Sequence, residues 1–432
     1  MRSEMLALTP LPSARLHEAA DRFEWSGPCI KHTRVAIDRV RSPEETLARA
    51  RQFAEEMGIT RVSNLTGLDR VGVPVVAVTR PNSRSVSVAL GKGFTLAAAK
   101  ASGVMEAIES FHAEHVDRPL LLSSYERLRQ KVRVIDVDKL PRVSAGAFRT
   151  GQKLLWVEGR ELHHDEPCWV PYEVVHSDYT LPFPSGSGTF SMSSNGIASG
   201  NHILEAISHG ICEVVERDAT ALWHFSAPDV QAATRIDLGS IDDEPCMDLI
   251  ERFMSSEVEI SVWDTTSDVG IPSFRCQAMD AGSFADEPLH PVAGYGCHPR
   301  REIALMRALT EVAQARLTII SGARDDLSQT LFRREPARSA ARDAAAATRT
   351  SSALRRFRDV PSWSAATVED DVQWELRQIA SVGIREVAMV DLTKPEFGIP
   401  VVRVIVPGLE SICEAPGYTP GARVRCRMAQ SS

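Results

Sequence analysis

Three pairs of residues stand out as capable of chemistry: Glu106 with Glu109, Glu213 with Glu216, and Glu311 with Gln314. Each pair is spaced i, i+3. Each begins fifteen residues after an aligned position (Gly91, Ala198, Gly296), in a segment that opens with a turn and runs on like a helix. Residues three apart share a helix face, so every copy aims two oxygen-bearing side chains the same way. One such pair is commonplace on a solvated helix. Three at equal spacing, on runs otherwise made of Ala, Ile, Val, Leu and Met, point to buried helices whose polar faces converge. Glu205, eight residues before Glu213, adds another carboxylate. Carboxylates gathered in a buried place raise one another's pKa unless a hard divalent cation neutralises them. Oxygen-only ligands suit Mg2+, which keeps waters and shares its shell with phosphates, so ATP is the expected co-ligand.

Supporting groups lie beside the pairs. Ser102 is four residues before Glu106, Asn201 four before Glu205, Arg217 directly after Glu216, and Arg316 two after Gln314. The arginines are candidates for clamping phosphate or balancing carboxylate charge, and Lys31 and Lys92 for the same work as point charges. The Gly-Lys-Gly at 91–93 does not continue into a phosphate-loop or dinucleotide-binding glycine pattern, so neither site is expected. His112, His115, His202, His209 and His224 form no H-E-x-x-H and are read as structural. Cys212 and Cys297 are read as small buried thiols, and the Ser and Thr residues of 185–194 have no identifiable base for hydrolase chemistry.

The elements that must position these residues repeat as well. A helix-like segment, a β-rich run, a turn, and Gly-[Val/Ile]-Pro opening a second β-rich run recur from Thr46, Cys246 and Asp371. Each proline falls at the first position of its strand, where a missing N–H costs least. The expected fold is therefore mixed α/β: three helix-plus-hairpin units and three Gly-turn helices around a central nucleotide site. Residues 181–201, rich in Gly, Ser and Asn, read as a long functional loop, and 333–356, biased to Ala and Arg, as a surface helix or crossover. The expected division is an N-terminal extension to residue 30, one fused unit from 31 to 410, and a tail from 411 to 432.

Composition narrows the classes further. With 49 Lys plus Arg against 57 Asp plus Glu and no basic run interleaved with aromatics, nothing in the chain suggests nucleic acid or an anionic membrane. No run of 18 apolar residues occurs, and the eight cysteines include no C-x-x-C, so a reduced, cytoplasmic protein without a membrane span is expected.

Four stretches together resemble the YcaO-domain family: TGLDRVGVPVVAVTRPNSRSVSVALGKG, the Ser102-Glu106-Glu109 motif, the Asn201-Glu205-Glu213-Glu216-Arg217 motif, and GYGCHPRREIALMRALTEVAQAR. The resemblance implies a YcaO-type fold and an enzyme that binds ATP and Mg2+ and activates a peptide backbone amide by phosphorylating its oxygen. It places Glu106, Glu109, Glu205, Glu213 and Glu216 on metal and nucleotide, with Ser102, Asn201 and Arg217. The repeat adds Glu311, Gln314 and Arg316. The chain ends without the Pro-x-Pro-x-Pro tail of azoline-forming members. It most resembles stand-alone members that act with a TfuA partner and make thioamides, which implies a ribosomal peptide or protein substrate, a sulfur donor and a homodimer. The rivals are a cyclodehydratase forming an azoline or macrocyclic amidine, and a non-catalytic nucleotide-binding subunit.

Overall fold

In the computed structural model, which describes residues 29–431 apart from 35–36, 144–147, 185, 285–287, 325, 350–353 and 416, the Glu-bearing segments are three long helices. They span Leu96–Glu114, Ile203–His224 and Arg301–Ser321. Each packs on its own three-stranded antiparallel ladder. The first is Arg61–Asn64, Val75–Thr79 and Val88–Lys92, and the second Val258–Asp264, Ser273–Asp280 and Val292–Cys297. The third is Ala388–Asp391, Val401–Ile405 and Ile197–Ser199. A further helix leads into each ladder: Pro43–Arg51, Glu244–Ser255 and Val368–Ser381.

The third unit is permuted. Its last strand and its Glu helix come from residues 197–224, while its first helix and first two strands come from 368–405. The expected loop at 181–201 is therefore irregular only up to this short strand, which completes the ladder.

One local device makes all three hairpins. The side-chain oxygen of Asn64, Asp264 or Asp391 accepts the N–H of a threonine two residues on (Thr66, Thr266, Thr393) at 2.9–3.1 Å. That threonine's hydroxyl then accepts the N–H of Val75, Ser273 or Val401, the first residue of the returning strand, at 3.0–3.3 Å. Such Asx turns replace backbone bonds that the turn leaves unmade. Gly72, Gly270 and Gly398 supply the left-handed φ (58–79°) just before each Val/Ile-Pro. At Gly91 and Gly296 the requirement is space: a Cβ would lie 2.1–2.2 Å from a carbonyl of the facing helix.

Behind each ladder lies a buried apolar cluster: Trp156 and Ile108 with the first unit, Phe253 and Phe274 with the second, Leu204 and Ile211 with the third. The third sheet is widened by Leu120–Ser124, Lys153–Glu161 and Glu166–Pro171. Residues 334–349 are helical, and the chain's last helix, Ala422–Ser431, is anchored by Arg423 on Asp218 at 2.8 Å. Almost all of the expected N-terminal extension, residues 1–28, lies outside the described residues. No helix among the described residues is long and apolar enough to cross a membrane.

Candidate nucleotide and metal site

The polar faces of the three Glu helices meet around one cavity of about 870 Å³, lined by Glu106, Glu109, Glu213, Glu216, Glu311 and Gln314. In the first and second units one of these glutamates holds the helix to its own ladder. Glu311 accepts the N–H of Tyr295 at 3.2 Å, and the matching N–H of Leu90 reaches Glu106. The second member of a pair reaches into a neighbouring unit. Gln314 Nε2 donates to the Leu90 carbonyl at 2.9 Å, and Glu109 accepts the N–H and hydroxyl of Ser199 at 2.8 and 2.6 Å.

Arg217 lies 3.4 Å from Glu216 and 4.0 Å from Glu213, and Lys92 pairs with Glu311 across the first and second units. Ser102 Oγ accepts the Lys92 N–H at 3.4 Å. Burial pushes the carboxyl of Glu109 up to about 8 and that of Glu213 to about 7. Glu106 and Glu216 are raised for the same reason. At Glu311 burial is outweighed by Lys92 and Arg217, and its pKa falls. Burial opposes the charge on Arg217, but Glu216, Glu213 and Glu311 more than restore it.

These features fit a cation and a polyphosphate. Carboxyl groups that hold protons near neutrality lack compensating charge, and two buried polar atoms, Arg217 Nε and Gln314 Oε1, have no partner among the described residues. Among the described residues no three acidic, His or Cys side chains are grouped closely enough to chelate one ion. A cation here would take one or two carboxylates and complete its shell with phosphate and water, which is the habit of Mg2+.

Residues 90–410 match the family model of the YcaO cyclodehydratases, described as ATP- and Mg2+-binding. The chain belongs to the YcaO family. A protein of Rhizobium leguminosarum bv. trifolii, encoded in the tfuA 3′ region, is 35% identical over 378 residues, covering 86% of this chain and 89% of that one. A Methanothermobacter thermautotrophicus protein is 34% identical over 390 residues, 89% of this chain and 97% of that one. Among solved structures, the YcaO of Methanopyrus kandleri bound with AMPPCP and Mg2+ superposes with a TM-score of 0.71 at 23% identity, covering 91% of this chain and all of that one. A heterocyclase in complex with substrate and cofactor gives 0.73 at 22% identity, covering 91% of this chain and 55% of that chain. These likenesses establish the YcaO fold. As a YcaO protein the chain binds ATP and Mg2+, and the cavity is where its residues suit them.

The other residues singled out from the sequence divide in this YcaO chain. Lys31 lines the cavity, but its ammonium already bridges Asp38 and Asp371 at 3.0 and 2.7 Å. Asn201 also lines it and exchanges hydrogen bonds with Thr46. Glu205 stands about 12 Å along its helix from Glu213. Its two oxygens accept the N–H groups of Val40 and Asn201 at 2.5 and 2.7 Å, so both are already engaged within the protein. Arg316 must be corrected. It does not line the cavity, and its guanidinium is buried between Asp69 of the first unit and Asp280 of the second, at 2.8 and 2.9 Å.

His209 and His298, in contrast, line the cavity, and Arg307 lies 2.8 Å from His209 Nε2. Burial, then the charge of Arg307, holds both imidazoles neutral. Arg307 escaped notice although it lies four residues before Glu311 on the same face. His112 is buried against the Ile108 carbonyl, His202 caps its helix, and Cys212 and Cys297 are buried thiols.

Proposed function

We propose that this YcaO chain, working as one unit over residues 31–410, uses ATP and Mg2+ to activate a peptide backbone amide and replaces its oxygen by sulfur. The observation that carries the reading is a cavity lined with carboxylates and arginine, which suits phosphoryl transfer by positioning and charge neutralisation. Bound ATP would supply the γ-phosphoryl group and Mg2+ the compensating charge. Glu106, Glu109, Glu213, Glu216 and Glu311 are the carboxylates from which a cation would draw its one or two protein ligands. Arg217, held by Glu213 and Glu216 and with its Nε unpartnered, would balance developing phosphate charge. Lys92 and Ser102 hold the opposite wall. A bound cation would draw the raised carboxyls of Glu109 and Glu213 into their charged form, so that loading the site would release protons.

The atoms balance. The amide oxygen attacks the γ-phosphorus and ADP leaves. A hydrosulfide-level donor then adds to the amide carbon, and phosphate departs with the original oxygen. The relative encoded beside tfuA supports the sulfur branch and a TfuA-like partner for delivery. The family's cyclodehydratase description supports a second reading, in which an internal nucleophile closes a ring. Mass spectrometry of a reconstituted reaction separates the two, because exchange of oxygen for sulfur adds about 16 Da and cyclodehydration removes about 18 Da. A loss of mass with no dependence on sulfide would overturn the thioamide reading.

A further inference from the structure

Among the described residues, strand Val88–Lys92 is an edge strand: its ladder runs Arg61–Asn64, Val75–Thr79, Val88–Lys92 and stops. The Arg80 N–H donates to the Ser87 carbonyl at 2.8 Å, which sets the parity of the ladder. Residues 87, 89 and 91 bond inward to Val75–Thr79, while 88, 90 and 92 turn their backbone groups outward, because antiparallel pairs alternate in this way. Side chains satisfy two of the outward positions. The Leu90 carbonyl accepts Gln314 and its N–H reaches Glu106, while the Lys92 N–H donates to Ser102. Glu106 and Gln314 thus stand where a fourth strand would lie.

At Val88 the substitution ends. Neither its outward N–H nor its carbonyl has a partner among the described residues, and the residue is only half-buried. It lines the cavity together with Ser85 and Val86 on its own chain and Ala315, Thr318 and Ile319 on the facing helix. An unsatisfied strand edge inside a cleft is a template for another extended chain.

We propose that the peptide substrate docks as an added strand along this edge. One of its residues exchanges hydrogen bonds with the N–H and carbonyl of Val88, and its chain continues toward Leu90 until Glu106 and Gln314 stop it. The next outward position lies two residues on, about 7 Å away, so the stopped peptide presents a backbone amide at the carboxylates. This rests on the peptide-modifying reading above. Recognition runs through main-chain groups, so it tolerates many side chains but excludes proline or an N-alkylated residue opposite Val88.

Val88→Pro tests the proposal, since it deletes the outward N–H and leaves the inward ladder bonds of 87 and 89 intact, and Val88→Ala, which keeps the N–H, controls for the lost packing of the side chain. The probe is a fluorescein-labelled octapeptide of alternating Gly and Val, titrated up to millimolar concentration with ATP and Mg2+ present, alongside the same peptide N-methylated at alternate residues. The expected result is binding to the wild-type protein, weakened about fivefold to tenfold by Val88→Pro and by N-methylation, with melting temperature and ATP–Mg2+ affinity unchanged in the variant. Equal affinity for variant and wild type, indifference to N-methylation, or no binding of the unmethylated peptide to the wild type would each overturn the proposal. The N-methylated peptide acts on unaltered protein, so the test stands even where Val88→Pro is unstable. ATP–Mg2+ binding by the wild type, titrated separately, reports on the proposed function, so the two readings fail independently.

Discussion

Gln314 donates its amide hydrogen to the Leu90 carbonyl at 2.9 Å, binding the Glu helix of the second unit to the last strand of the first. Glu109 makes the matching contact between the first unit and Ser199 of the third. Two residues of the pairs proposed as ligands are therefore also seams between units, and the first prediction concerns a seam. Gln314→Leu strands the buried Leu90 carbonyl and should cost about 1–3 kcal/mol, read as a lower midpoint in urea unfolding. Unchanged stability would mean that the contact contributes nothing.

The carboxylates themselves are tested by Glu106→Gln and Glu213→Gln. Each keeps the size of the side chain and removes a metal-seeking charge. Calorimetric titration with ATP should show Mg2+-dependent binding in the wild type and a loss of at least about tenfold in each variant. Retained affinity in both would remove the nucleotide from this cavity.

The raised carboxyls make a prediction about pH. Glu109 titrates near 8 and Glu213 near 7 in the folded protein, both above the ordinary carboxylate range that holds in the unfolded chain. The folded state therefore binds more protons between those values, and stability falls as pH rises from about 5 to 8. Saturating ATP and Mg2+ should flatten or reverse that slope. Unfolding free energies across this range, with and without ligand, provide the check.

Arginines 217 and 316 should behave oppositely. Arg316→Met leaves Asp69 and Asp280 without their shared partner and should destabilise the protein by about 3–5 kcal/mol, while the folded fraction keeps its ATP affinity. Arg217→Met should stay folded and lose turnover. A variant of Arg316 that melts normally but fails to bind ATP would reinstate the sequence expectation for that residue.

That expectation shows where reading from sequence reached its limit. The Glu pairs were legible because i, i+3 geometry is local, and the hairpins because Gly-[Val/Ile]-Pro marks a strand start in every copy. Arg316 was close in number but not in space. It is two residues from Gln314, so it points about 200° around the helix, away from the cavity. Lys31 and Glu205 line the cavity, but the groups that occupy them, Asp371 and the Val40 N–H, are set by tertiary packing and leave no local mark in the sequence. The strand Ile197–Ser199 is three residues long and joins a ladder whose other members lie about 200 positions away, so no local pattern reveals it.

The same strand sets an order of assembly. The first two units are built from contiguous chain, but the ladder beside Glu213 and Glu216 cannot close until residues 388–405 have been synthesised. Contacts of such long separation form late and slowly. A nascent or truncated chain that ends before Val401 would thus carry the Glu helices of the first and second units in place, with Ile197–Ser199 as an open edge and Glu213 and Glu216 unanchored. Competence to hold a nucleotide would then mark a completed polypeptide.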